Sequence, residues 1–208
     1  MKKLVILLIL ISVIFFAGCE LTTGPDNPTL VEDLNLYPLT VGNTWTYDVY
    51  QYDYEQNKLV KDTSETIQIT GIENFTYNEE TLEGYSSSEG DSTYFIENET
   101  GIYKYYIQNS ELVETLMIKY PYHKGESWDA GSGEGSIKWE RIDSISIEEY
   151  TYSNCYVAST EVEMLGLSIK AEFYYKDNIG LVAMVAEETS SGMIMGQRIL
   201  TNYSIVQN

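Results

Sequence analysis

The chain has 208 residues, and 12 Lys and Arg stand against 32 Asp and Glu, a formal charge of −20. A surface this acidic repels phosphate backbones and anionic headgroups, so nucleic acid is excluded as a partner. Two cysteines and one histidine, His123, leave no Cys/His cluster for zinc and no half of a catalytic pair.

The first nineteen residues read MKKLVILLILISVIFFAGC. Lys2 and Lys3 are a basic start, Leu4 to Phe16 is apolar apart from Ser12, and Ala17 and Gly18 precede Cys19. This is the layout of a secretory signal, short of the ~20 apolar residues of a membrane span. The residues FAGC resemble the lipobox of bacterial lipoproteins, with Phe16 where Leu is usual. The resemblance implies that residues 1–18 are removed and that Cys19 is acylated and becomes the N-terminus. Loss of two lysines takes the charge to −22. Each buried acyl methylene contributes ~0.8 kcal/mol, which tethers the chain to a membrane. In the enterobacterial sorting rule, Asp after the acylated Cys retains a lipoprotein at the inner membrane. Glu20 stands there, which leans towards the outer membrane.

Residues 19–34 hold Pro25, Pro28 and Gly24 without apolar periodicity, and read as a flexible tether. A single domain is expected over residues 35–208. It opens on YPLTVGNTW, Tyr37 to Trp45. Pro38 fixes φ, Gly42 permits a tight turn, and Trp45 is the first large residue of a strand. The next residues alternate, with Trp45, Tyr47 and Val49 on one parity and Asp48, Tyr50, Tyr52 and Tyr54 on the other. ETIQITGI alternates around Ile67 and Ile69, and RIDSISI around Ile145 and Ile147. EVEMLGLSIKAEFYY reads as a hairpin turning near Leu165 and Gly166. No window gives a helical stripe. The expected fold is all-β: an antiparallel meander of about ten to twelve strands curled into an open barrel or a sandwich.

The nonapeptide recurs as YPYHKGESW, Tyr120 to Trp128, with Pro121, Gly125 and Trp128 in the equivalent places. Three weaker pairs follow in the same order. IENFTYN at 72 matches IEEYTYS at 147, YFIENETGIY at 94 matches FYYKDNIGLV at 173, and LMIKY at 116 falls opposite ILTNY at 199. These read as a tandem duplication, with repeats over 37–119 and 120–205. After Trp128, DAGSGEGS lacks the Lys-Ser/Thr of a phosphate cradle and reads as a loop. Cys155, in SNCYVAST, is expected to be a buried inert thiol.

The order lipobox, polar tether, YPLTVGNTWTY, TGIYKY, YPYHKGESW, NCYVAS and YYKDNIGLV resembles a broad set of uncharacterised bacterial envelope lipoproteins. The resemblance covers most of Leu36 to Val185. It implies a fold and no activity. A fainter similarity is to the Gly-x-Trp of lipocalins, where Trp plugs the barrel floor; here the spacing is Gly-x-x-Trp. No nucleophile elbow or metal cluster appears, so neither an enzyme nor a cofactor is expected. The expected function is a non-enzymatic carrier for an apolar or glycan ligand, with Tyr47, Tyr50, Tyr52, Tyr103, Tyr105, Tyr150, Tyr174 and Tyr175 as candidate lining. The alternatives are that these tyrosines merely suit a half-wet sheet face, and that the protein scaffolds an envelope complex through a protein partner.

Overall fold

In the computed structural model, residues 34–90, 92–131, 135–164 and 166–206 are described. The signal, Cys19 and nearly all of the tether lie outside them. Twelve strands follow in order: β1 (Thr44–Asp53), β2 (Lys58–Tyr77), β3 (Glu80–Ser87), β4 (Tyr94–Asn98), β5 (Gly101–Gln108), β6 (Glu111–Lys119), β7 (Ser127–Asp129), β8 (Ser136–Ile147), β9 (Tyr150–Met164), β10 (Leu167–Lys176), β11 (Gly180–Glu188) and β12 (Met193–Ser204). All ladders are antiparallel, and the strand order is β6-β5-β4-β3-β2-β1-β12-β11-β10-β9-β8-β7. Every neighbour is a sequential hairpin except β1 with β12, which joins the two halves of the chain. The sheet curls into a nearly closed barrel, and its free edges, β6 and β7, meet at a seam. There the Leu116 N–H donates to the Ala130 carbonyl at 2.8 Å, and the Trp128 indole N–H donates to the Leu116 carbonyl at 2.9 Å. Of the two shapes expected from sequence, the barrel is the one formed.

One end of the barrel is solid. The chain from Leu34 crosses it before β1 begins. Asn178 N–H donates to the Asn35 carbonyl, and Asn35 N–H donates to Asp177, pinning this crossing to the β10–β11 turn. Leu36, Tyr37 and Leu39 are buried in it. Tyr37 stacks on Trp45 with ring centres 5.3 Å apart and leans on Phe95 at the same distance. Trp128 and Trp139 lie beside them, in a tilted pair 5.3 Å apart. Each large ring removes ~150–250 Å² from water, worth about 4–6 kcal/mol before ordering costs are counted. Each indole N–H also finds an acceptor: Trp45 the Ile179 carbonyl at 2.5 Å, Trp139 the Lys119 carbonyl at 3.2 Å.

The two nonapeptides are wired alike. Gly42 N–H donates to Ile69 and Asn43 N–H to Thr40, while the Asn43 carbonyl accepts from Ile69 N–H. Gly125 N–H donates to Trp139 and Glu126 N–H to His123, and the Glu126 carbonyl accepts from Trp139 N–H. Gly42 and Gly125 have φ of 95° and 84°, a region that side chains disfavour, so the glycines are needed for the turn. The prolines differ. Pro38 is buried behind a trans bond, and Pro121 is exposed behind a cis bond.

The three weaker sequence pairs also fall at matching places in two runs of six strands. Ile72 to Asn78 and Ile147 to Ser153 lie at the β2–β3 and β8–β9 hairpin tips. Tyr94 to Tyr103 and Phe173 to Val182 span the β4–β5 and β10–β11 turns. Leu116 to Tyr120 covers the end of β6 and the residue after it, and Ile199 to Tyr203 lies in the second half of β12. The two hairpins run on past the floor and fold back on the outer wall. Phe75 stacks on Tyr94 at 4.3 Å, and Tyr94 faces outward because its neighbour Phe95 packs inside. In the other arm, Tyr152 donates to the Leu200 carbonyl at 2.8 Å. Cys155, in β9, is fully buried.

Candidate functional site

Above the aromatic floor the barrel is hollow. A cavity of about 570 Å³, partly open to solvent, is bounded by side chains from both halves of the chain. Tyr37 and Tyr47 form its base. Ile67, Met117, Ile137, Phe173, Leu181 and Met184 supply an apolar wall from β2, β6, β8, β10 and β11. Such a volume lies within the ~300–1,000 Å³ of small-molecule sites, and a mostly apolar lining with few polar groups is their usual chemistry. Strand alternation produces this lining. Phe173 and Met184 are ladder partners, and Met184 partners Arg198 in turn, so a row across β10, β11 and β12 faces the cavity.

Three charged side chains reach the cavity. Glu89, in the loop between β3 and β4, pairs with Lys104 of β5 at 2.9 Å. Burial works to raise the Glu89 carboxyl, but the charges of Lys104 and Arg198 and the Lys104 hydrogen bond hold it below its ordinary value. Lys104 also lies 5.4 Å from the centre of the Tyr106 ring. Arg198 of β12 is the third. Its guanidinium carbon sits 3.9 Å above the Tyr47 ring, a cation–π contact. Glu65 Oε1 is 2.7 Å from Arg198 Nε but off the N–H axis, so an ion pair forms without a hydrogen bond. Tyr47 donates its hydroxyl to the Leu181 carbonyl at 2.9 Å, and burial raises its pKa far above that of free tyrosine. Four polar atoms on this lining are buried with no hydrogen-bond partner: Thr115 Oγ1, Thr160 Oγ1, and Nε and Nη2 of Arg198.

The residues singled out in the sequence are placed as follows. Trp45, Gly42 and Pro38, with Trp128, Gly125 and Pro121, belong to the floor and the seam, not to the cavity lining. Of the eight strand tyrosines, Tyr47 and Tyr175 line the cavity. Tyr105 donates to Glu114 at 2.5 Å and packs with Phe75 and Tyr77 in the outer layer. Tyr174 bonds to Glu172 and Arg141 on the outside. Glu89, Lys104 and Arg198 were not anticipated. Arg198 sits in QRILTNYS, and its inward parity was readable only relative to Ile199 and Leu200. Both of these are buried, so alternation did not say which way Arg198 points. Among the described residues, no group of three or more His, Cys, Asp or Glu is arranged to hold a metal, and no helix is long and apolar enough to cross a membrane.

Fold and cavity together define the class: an up-and-down antiparallel β-barrel with a plugged floor and a hollow, mainly apolar lumen. No family model matches the chain, and no curated protein matches it. Among solved structures, it is similar to a "putative lipoprotein" from Parabacteroides distasonis, at 13% identity and TM-score 0.45, covering 84% of this chain and 100% of that one. It is also similar to a "putative exported protein with YmcC-like fold" from Bacteroides fragilis, at 9% identity and TM-score 0.43, covering 83% of this chain and 100% of that one.

Proposed function

We propose that this protein is a membrane-tethered envelope lipoprotein that carries one small, largely apolar molecule in its barrel and performs no chemistry on it. The observation that carries the reading is the lumen of about 570 Å³, walled by Ile, Met, Leu and Phe. A barrel whose only role was structural would gain by filling that space, because apolar side chains facing an unfilled lumen forfeit packing contacts. The carrier reading favours an apolar ligand over a glycan, since most of the surface that the lining presents to the lumen is apolar. The tether rests on the sequence FAGC at 16–19, and the outer membrane on Glu20. We also read the two six-strand runs as copies of one unit. The identical wiring of Gly42–Asn43 and Gly125–Glu126 supports this. Native mass spectrometry of the purified lipoprotein tests the carrier reading directly. A bound apolar mass, exchangeable with added lipids, is expected. A protein that is empty on purification and ignores both lipid and glycan panels refutes it.

A further inference from the structure

Resting on the carrier reading, we propose that the lumen takes an elongated apolar molecule ending in a carboxylate, and that Arg198 holds the carboxylate. The guanidinium is held in place by the Tyr47 ring, 3.9 Å below it. Its side chain is 12% exposed, and its Nε and Nη2 donors are buried without a hydrogen-bond acceptor. An arginine has donors only, so the group that completes it must be an acceptor. Its planar fork matches the two oxygens of a carboxylate.

The other charges in the lumen leave this role to Arg198. Lys104 is committed to Glu89 at 2.9 Å, which matches the negative charge of that loop. Glu65 Oε1 pairs with Arg198 Nε at 2.7 Å from a partly exposed position, so Nη2 is the buried donor that no carboxylate meets. The strongly acidic exterior acts at a distance, where salt screens it beyond ~8–10 Å. Away from Arg198, the apolar wall from Ile67 to Met117 suits a hydrocarbon chain rather than a second polar end.

The test compares three ligands with one tail: oleate, oleyl alcohol and oleylamine. Full-length lipoprotein in non-ionic detergent micelles is equilibrated with equal amounts of each, and bound masses are read by native mass spectrometry. Oleate is expected at least tenfold over the alcohol, with the amine last. Arg198→Met and Arg198→Gln are expected to bring the acid-to-alcohol ratio below twofold while alcohol binding persists. Equal binding of acid and alcohol by the unaltered protein overturns the inference and leaves the carrier reading standing. So does a preference for the acid that survives both substitutions. Failure of all three ligands to bind overturns the carrier reading as well. The ranking with the unaltered protein is decisive by itself if a variant does not fold.

Discussion

Gly101→Ala is expected to be one of the most damaging single-methyl additions to this barrel. Gly101 opens β5 with φ of 151°, and a Cβ there would lie 2.0 Å from the Ile118 carbonyl oxygen and 2.8 Å from Leu116 Cδ1. The obstacle is backbone of the paired strand β6, where Gly101 partners Lys119, so it cannot move aside without opening the ladder. Overpacking costs ~1–3 kcal/mol and the unfavourable backbone region ~1–3 kcal/mol, so a combined loss of about 3–5 kcal/mol follows. Gly125→Ala isolates the backbone part: φ is 84° and nothing lies within 4 Å of the added carbon, so about 1–2 kcal/mol is expected. Urea unfolding can read the difference, because Trp45, Trp128 and Trp139 are at most 5% exposed and their fluorescence will shift on exposure. With a slope of ~2 kcal/mol/M, the midpoint should fall by about 2 M for Gly101→Ala and by less than about 1 M for Gly125→Ala. A Gly125 variant that loses as much as the Gly101 variant would refute the steric argument.

Three further outcomes are expected. The hydrogen bond from Arg141, opposed by burial and helped by Tyr174 and Lys170, holds the Glu172 carboxyl near about 2 against an ordinary 4.5. A carboxylate depressed in the fold stabilises fully above its unfolded value and loses that contribution as pH falls from about 4.5 towards 2, so Glu172→Gln should flatten the urea midpoint across that window and cost on the order of 2 kcal/mol at pH 7; an unchanged pH profile counts against it. Cys155 is fully buried, and burial pushes its thiol up to about 11, so a thiol reagent at pH 8 should label it only in denaturant, and fast labelling of the native protein would contradict the fold around β9. Cys19→Ser should release the protein from membranes and abolish fatty-acid incorporation; continued incorporation sinks the lipidation reading.

The strands were more legible in the sequence than the cavity, for physical reasons. Trp45, Tyr47 and Val49 face inward because one face of β1 meets protein and the other is partly wet, which leaves a period-2 trace. The trace fails on β11 and β12, where Val182, Ala183, Ile199 and Leu200 are all fully buried, because the β8–β9 arm covers the outer wall. Where both faces are buried, parity carries no inside or outside, and Arg198 stays hidden in it. Bulges add to the loss: the pairing skips Thr201 of β12, Asp62 of β2 and Val182 of β11, and each skipped residue reverses the count along the strand that carries it. Glu89 leaves no trace in the strand pattern because it reaches the lumen from a loop, where periodicity has no meaning. The glycine turns were legible, since Gly-x-x-Trp at fixed spacing encodes a local conformation that does not depend on the rest of the barrel.

The ladder between β1 and β12 has a consequence for how the chain assembles. Among the described residues, ten of the eleven strand pairings join consecutive strands across a turn or short loop, so they can form early and in any order. Only β1 with β12 joins residues more than a hundred positions apart, as in Trp45 with Tyr203. The entropy of closing that loop is therefore met in a single step, and it grows only slowly with length. In an exported chain, β12 would also be the last of these strands to leave a translocation channel. A chain exported from its N-terminus would hold two half-sheets joined only along the β6–β7 seam until β12 emerges, and the lumen would close only from that moment.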